Sequence, residues 1–442
     1  MSIISQACHS LLSQYPTQTI LVAYSGGVDS QVLLNALVQA EKSLSKSETR
    51  IKVCHVHHGL SQYADDWLAF AKKQCENLNV SITTRQVELA AGTSESLEAL
   101  ARDARYQVLK ELTCENTIVV TAHHQDDQIE TMLLALKRGA GVSGLSCIVE
   151  KQPFSKGLLV RPFLSISREA IEQFAEGECL DWVEDDSNQD QSFDRNFLRH
   201  SIIPLLKERW PSYGQTVSRS ALLCEQANNQ LKEIAEQDYL SCNVIDDSLS
   251  VEHLLLLSEP RFNGVIRYWL GLKEKKMPSV QQLAQLREQL AVEGDRQPEV
   301  MMSGAVFRRF KGRVYLTPDY LDISSWQQSY NVSELHADLT VTLPGELPEV
   351  TFVNGEGQVA FSIPAETKQL TLTCQRPSIT CQPEYRNHSR PIKKVLQELD
   401  IPPWQRKRLV YLFADEHLVG VIGHFICKPF SAHQHAVKFS IC

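Results

Sequence analysis

Thr19-Ile20-Leu21-Val22-Ala23-Tyr24-Ser25-Gly26-Gly27-Val28-Asp29-Ser30-Gln31-Val32-Leu33-Leu34-Asn35-Ala36-Leu37 decides the fold. An apolar run with strand-forming residues enters a Gly-Gly turn, and residues with helical spacing leave it. The expectation is strand, tight loop, helix. Two glycines let a backbone approach an anion without interference from Cβ. The amides of the turn and of the helix start then point at one spot, which favours phosphate. Ser25 and Ser30 add hydroxyl donors, and Val28 completes the turn. Asp29 is a carboxylate beside an expected phosphate, a pairing that makes sense when a metal ion bridges the two. No lysine follows the glycines, so this is not the GxxxxGK[ST] loop that grips a transferred γ-phosphate. The bland alternative is a tight strand-to-helix turn with no ligand.

Length and composition bound the rest. A chain of 442 residues holds two to four domains. Hydrophobic content of 43% and charged content of 22% are those of an ordinary soluble globular protein. No apolar run approaches the roughly 20 residues of a membrane span, and the first residues lack the pattern of a secretion signal. The 12 cysteines are scattered with no CxxC pair, which argues against a zinc ribbon and for a reducing, cytoplasmic compartment. Net charge is −9, a weak argument against bulk nucleic-acid affinity. Basic residues are nevertheless confined to stripes: Arg308 and Arg309, Lys393 and Lys394, and Arg406 with Arg408. Such stripes suit one structured RNA, although each alone reads more readily as a solvated face, by about two to one.

Along residues 1–210 strands and helices alternate. Strands are expected at 51–56, 80–87 and 117–121, and helices at 61–78, 94–112 and 126–137. This rhythm belongs to the α/β class, a parallel sheet covered on both faces. Ligands of such folds sit beyond the carboxyl ends of the strands. The glycine loop, His57-His58 and His123-His124 all fall there. Residues 204–237 read as a long helical connector. The domain expectation is 1–210 for nucleotide binding and chemistry, 211–325 for a helix-rich middle domain, and 338–442 for a small α+β domain. Residues 322–335 read as a linker.

The second informative segment is Ala122-His123-His124-Gln125-Asp126-Asp127-Gln128-Ile129-Glu130-Thr131. A helix starting near Asp126 brings Asp127 and Glu130 to one face as i, i+3 neighbours. Two carboxylates at that helix start could hold Mg²⁺ or an ammonium group. Acidic capping is the ordinary alternative, and the better reading for Asp126. Residues 185–199 pack Asp, Asn and Arg densely. Arg195 there is suited to a phosphate or a developing negative charge, while loop-tying by side chains is the structural alternative. Arg102 and Arg105 share the polar face of the 94–112 helix and could track a nucleic-acid backbone. Lys137 and Arg138 complement a helix dipole or touch phosphate with equal weight.

Taken together, SGGVDS at 25–30, VHHGL at 56–60, ARDARY at 101–106, HHQDDQIET at 123–131, LKRGAG at 136–141, RPFL at 161–164 and EDDSNQDQSFDRNFLR at 184–199 closely resemble the tRNA(Ile)-lysidine synthetase family. Residues 391–404 resemble that family's last domain. The loop alone would be shared with other PP-loop enzymes, which cut ATP into AMP and pyrophosphate. The resemblance implies a Rossmann-like PP-loop domain, with ATP held at residues 25–30 and Mg²⁺ at Asp29. It implies a ligase that joins free L-lysine to the wobble cytidine of a CAU-anticodon isoleucine tRNA. Asp127 and Glu130 would receive lysine, Arg195 would stabilise charge, and His123 would lie near the adenylated cytidine. The basic residues Arg102, Arg105, Arg308, Arg309, Lys393, Lys394, Arg406 and Arg408 are the candidates for gripping the tRNA. A homodimer is left open by the sequence. Two other readings compete, a tRNA 2-thiolase with the same loop and a non-catalytic ATP-binding protein. The first wants cysteines for a sulfur relay, and the second has no use for basic C-terminal modules.

Overall fold

The computed structural model describes residues 1–44, 50–57, 59, 63–87, 97–184, 189–292, 298–334, 339–353, 359–431 and 437–441. The chain divides into two compact units, Met1–Glu233 and Ile234–Cys442.

The first unit opens with α1 (Ile3–Gln14), β1 (Thr19–Ala23), α2 (Val28–Ser43), β2 (Ile51–His57), α3 (Ala64–Leu78) and β3 (Ser81–Gln86). It continues with α4 (Leu97–Glu111), β4 (Thr117–Val120), α5 (Gln125–Lys137), α6 (Val142–Leu145), β5 (Lys151–Phe154), β6 (Gly157–Val160) and α7 (Arg168–Gly177). The six strands form one sheet in the order β3-β2-β1-β4-β6-β5. β1 is central, with parallel neighbours β2 and β4. Its Ile20, Leu21 and Val22 are all buried, because each face of the sheet carries a core. Ile20 and Val22 pack with Leu33, Leu37 and Ile171 on one face, and Leu21 packs with Val119, Leu109 and Leu159 on the other. The chain leaves β1 toward one neighbour and later returns on its other side, so the ends of β1 and β4 flank the crevice where such sheets bind ligands.

The sheet departs from the all-parallel expectation at one edge. β5 runs antiparallel to β6. Pro153 sits in that edge strand, where its missing N–H costs little, and Ser155 makes the turn at φ 51°. Beyond α8 (Asp194–Phe197), the connector expected at 204–237 is two elements, α9 (Ile203–Arg209) and, after a break at Trp210, α10 (Tyr213–Ser241). In the first unit Ile203, Val217 and Ala221 pack on Ile129 and Met132 of α5.

In the second unit, α11 (Val251–Leu256), α12 (Glu259–Leu272) and α13 (Val280–Ala291) cover an antiparallel sheet of β7 (Ser248–Ser250), β8 (Glu299–Met302), β9 (Ala305–Phe310) and β10 (Arg313–Thr317). Trp269, Phe262 and Phe307 fill that core. Three further antiparallel sheets follow, of five, four and two strands, with α14 (Ile392–Glu398) and α15 (Pro403–Arg406), and the core there includes Phe361, Leu372, Val395 and Tyr411. The stretch expected as a linker is not one throughout. Gln327–Asn331 is a strand paired antiparallel with Gln369–Thr373. It is a polar edge strand, without the apolar alternation that marks a half-buried one.

Candidate active site

The loop after β1 is built around Gly26 and Ser30. Gly26 has φ 92°, and a Cβ there would stand 2.9 Å from Val183 Cγ2. Only glycine meets both demands. The Ser30 hydroxyl accepts the N–H groups of Ser25 at 3.3 Å and Gly26 at 3.1 Å, and donates to the Gly27 carbonyl at 3.0 Å. Its proton is therefore spent inside the loop, and its work is to fix the turn. Ser25 Oγ lies 3.1 Å from Ser30 Oγ. Gly27 caps α2 without a side chain, which leaves the helix start open to an anion. Val28 turns its side chain into the core.

Asp29 stands in the first turn of α2. Its Oδ2 accepts from Arg168 Nη1 at 2.5 Å, while Oδ1 is buried and makes no hydrogen bond. Burial pushes this carboxyl up, against the opposing pull of His124 and Arg168. Mg²⁺ is commonly held by one or two carboxylates together with substrate phosphates. A buried, unbonded carboxylate oxygen beside a phosphate loop fits that donor set. Among the described residues, no group of three or more His, Cys, Asp or Glu side chains forms a metal site of protein ligands alone.

Across the crevice, α5 begins with a capping box. His124 Nδ1 accepts the N–H of Asp126 at 3.2 Å, and Asp127 Oδ2 accepts the N–H of His124 at 2.9 Å. The backbone bond assigns the ring proton to Nε2. That nitrogen faces Asp29 Oδ1 and Asp127 Oδ2, each at 3.7 Å. His124 thus links the two carboxylates, which are 98 residues apart in sequence. Burial alone would raise Asp127, but His124, His123 and the His124 N–H hold it below the usual carboxylate range. His123 turns elsewhere, with Nδ1 2.8 Å from Thr121 Oγ1. Burial pushes it down to about 4, so the ring is neutral near pH 7.

Glu130 lies one turn deeper and is fully buried. Arg199 reaches both of its oxygens, at 2.7 and 3.2 Å, and Arg195 Nε lies 3.0 Å away. Arg199 also approaches Asp127 at 3.7 Å. Both arginines belong to the helical run that starts at α8 and passes through a π turn at Leu198–Ile202. Single π turns in such runs recur at functional sites. Asp126 has a different occupation. Lys207 bridges it, at 2.8 and 3.0 Å, to Glu169 at 2.7 Å, tying α5, α7 and α9 together. Lys137 is paired with Asp194 at 2.5 Å. His57 ends β2 and lies 3.2 Å from Asp65, whereas His58 and the Asp-Asp-Ser-Asn run at 185–188 lie outside the described residues.

The basic candidates divide by geometry. Arg102 and Arg105 are exposed on α4, with Arg102 over the Tyr106 ring at 5.5 Å. Lys393 and Lys394 are exposed on α14. The remaining four are committed to the fold. Arg309 donates to the Leu290 and Val292 carbonyls at the end of α13. Arg406 donates to Ile401 O at 2.6 Å, and Arg408 to Gly345 O. Arg308 is buried and donates to Pro318 O at 3.0 Å.

Residues 1–206 match the family model of a PP-loop domain, 249–315 that of a TilS substrate binding domain, and 370–441 that of a TilS substrate C-terminal domain. The tRNA(Ile)-lysidine synthase of Vibrio campbellii is 38% identical over 442 residues, covering 98% of both chains. The chain belongs to the tRNA(Ile)-lysidine synthase family. The lysidine synthase of Edwardsiella ictaluri is 39% identical, covering 96% of this chain and 94% of its own. Among solved structures, a U34-tRNA thiolase from Methanococcus maripaludis aligns at 16% identity and TM-score 0.42, over 50% of this chain and 79% of its own. An NH3-dependent NAD synthetase from Campylobacter jejuni aligns at 17% identity and TM-score 0.29, over 51% and 93%. The family assignment accounts for the joint presence of an ATP-type loop and two substrate domains. No helix among the described residues is long and apolar enough to cross a membrane.

Sequence reasoning singled out Asp29, His123, Asp127, Glu130 and Arg195. His124, Arg168 and Arg199 join them in space. His124 was visible as the second histidine of HHQDD. Nothing in the sequence linked Arg168 to Asp29, a pair separated by 139 residues.

Proposed function

We propose that this protein uses ATP to ligate free L-lysine to C2 of the wobble cytidine in the CAU-anticodon isoleucine tRNA. The product, lysidine, makes that tRNA read AUA and accept isoleucine. The observation that carries the reading is the pairing, in a lysidine synthase family member, of the phosphate loop with Asp29, His124 and Asp127 across one crevice.

In this reading the Gly27 amide and the open start of α2, with Ser25, hold the ATP phosphates in a turn that Gly26 and Ser30 fix. Asp29 would hold Mg²⁺, which when bound neutralises phosphate charge. The cytidine O2 attacks the α-phosphate, pyrophosphate leaves, and the base is adenylated. The lysine ε-amine then attacks C2 and AMP departs. That amine arrives as an ammonium and has to lose a proton before it attacks. Asp127, ionised at neutral pH, is suited to receive it, with Glu130 behind. Arg195 stabilises negative charge on the phosphate or the activated base. The neutral His123 flanks the base. Residues 1–210 would carry the chemistry, while 211–325 and 338–442 would hold the tRNA. Phosphate contacts there orient the RNA without naming bases, and the target cytidine leaves its stack to react.

Pyrophosphate release tests this reading against its rivals. A ligase releases it with cognate tRNA, and AMP release then depends on lysine. A 2-thiolase depends on a sulfur donor instead, and a non-catalytic ATP-binding protein releases none.

A further inference from the structure

We propose that a cavity in the second unit binds an unpaired nucleobase of the tRNA. The inference rests on tRNA as the substrate and adds a base-holding site to it.

The cavity measures about 310 Å³, at the lower end of the roughly 300–1,000 Å³ typical of small-ligand pockets. It opens between β8–β10 and α15, lined by residues of both substrate-domain segments and by Asp319–Asp322 of the stretch between them. Its walls are flat groups. Arg408 lies over the Tyr320 ring at 4.2 Å, and Arg308 lies 5.6 Å from Tyr320 and 5.9 Å from Trp404. These planes are held in place. Arg308 is only 7% exposed and is pinned by the Thr317 hydroxyl, the Pro318 carbonyl and Glu299. Trp404 is braced by Tyr315 at 5.3 Å and Phe310 at 6.0 Å. A fixed aromatic and guanidinium surface loses little conformational entropy on binding. Unstacked RNA bases are held on such surfaces.

The polar lining narrows the ligand. The cations Arg308, Arg408 and Lys407 are matched by the carboxylates of Glu299, Asp319 and Asp322. A phosphate inside would meet three like charges. A base with an exocyclic amine and ring acceptors satisfies both sets, with its backbone left outside near the exposed Lys407. Leu321 stands at the rim, 76% exposed, and gives an apolar edge for the ribose or a neighbouring base.

Filter binding without ATP or lysine isolates this site from catalysis. Wild type and Tyr320→Leu, Tyr320→Phe and Asp322→Asn are each titrated with the CAU-anticodon isoleucine tRNA transcript, intact or lacking its single-stranded 3′ tail. Thermal unfolding checks each fold, and the surface change Asp322→Asn serves if Tyr320→Leu does not fold. We expect Tyr320→Leu to weaken intact-transcript binding by about tenfold or more, Tyr320→Phe to restore it, and Asp322→Asn to weaken it. If the loss disappears with the shortened transcript, the base comes from the 3′ tail. If it persists, the base comes from a loop. Wild-type affinity in both folded Tyr320→Leu and Asp322→Asn overturns the proposal. Wild-type protein that binds tRNA through this pocket yet transfers no lysine would instead overturn the ligase reading.

Discussion

Arg199 grips Glu130 through both carboxylate oxygens, at 2.7 and 3.2 Å, with the carboxylate fully removed from solvent. Arg195 completes the cluster from the same helical run. A carboxylate placed this way organises the site before any substrate arrives. Removing it strands two guanidinium groups beside a buried helix face. Breaking one partner of such a pair typically costs about 3–5 kcal/mol. Glu130→Ala should therefore lower stability by several kcal/mol in chemical denaturation. A Glu130 that serves only to receive lysine would leave the unfolding midpoint unchanged.

The two loop glycines should respond differently. Gly26→Ala combines a left-handed backbone with a 2.9 Å approach to Val183, and should cost at least about 1–2 kcal/mol. Gly27 has φ −70°, and its added Cβ meets nothing closer than 3.6 Å. Gly27→Ala should keep the thermal midpoint and weaken ATP binding, because the methyl group enters the space of the phosphate. Differential scanning fluorimetry with and without ATP reads both effects.

How much of this was legible beforehand follows from locality. The strand, glycine turn and helix at 19–37 are decided by neighbouring residues, and so are the helix start at Gln125 and its acidic turn. The β5–β6 hairpin was not, because Pro153 argues against a strand and the turn at Ser155-Lys156 lacks the usual Asn-Gly or Asp-Gly signal. The Gln327–Asn331 strand was hidden by its polarity. The clasp on Glu130 joins positions 69 residues apart, and only the packing of α8, the π turn and α9 on α5 brings them together. The geometry of the basic stripes was not legible, since a charged sequence does not reveal whether a guanidinium faces water or, as Arg309 does, donates to the carbonyls at a helix end.

His123 should make stability depend on pH. Its folded value of about 4 lies below the 6.5 of an unperturbed histidine, so the unfolded chain binds more protons between those limits. Stability then rises with pH through this window and is lost as pH falls from 6.5 toward 4, by up to about 1.4 kcal/mol per pH unit. His123→Gln should flatten that slope in urea melts taken from pH 4 to 6.5. An identical slope would assign the proton uptake to another group.

Asp29 and Asp126 separate chemistry from architecture. Asp29→Ala should abolish pyrophosphate release while the fold survives. Asp126→Asn breaks the Lys207 bridge and should lower stability by about 1 kcal/mol with turnover retained. A pyrophosphate assay and a melt on each variant suffice, and normal turnover by Asp29→Ala would remove that residue from the phosphate site.

Lys393 and Lys394 are the exposed pair on α14. Replacing both with alanine should weaken tRNA binding and reduce the salt slope by about 2. An unchanged slope would mean that these lysines are only solvated.

The most direct measurement of the central claim is transfer of labelled lysine. Purified protein is incubated with ATP, Mg²⁺ and labelled lysine, together with either the CAU-anticodon isoleucine tRNA or methionine tRNA. The account predicts label on the isoleucine tRNA alone, located at the wobble cytidine. ATP cleavage with no lysine on either RNA would contradict it.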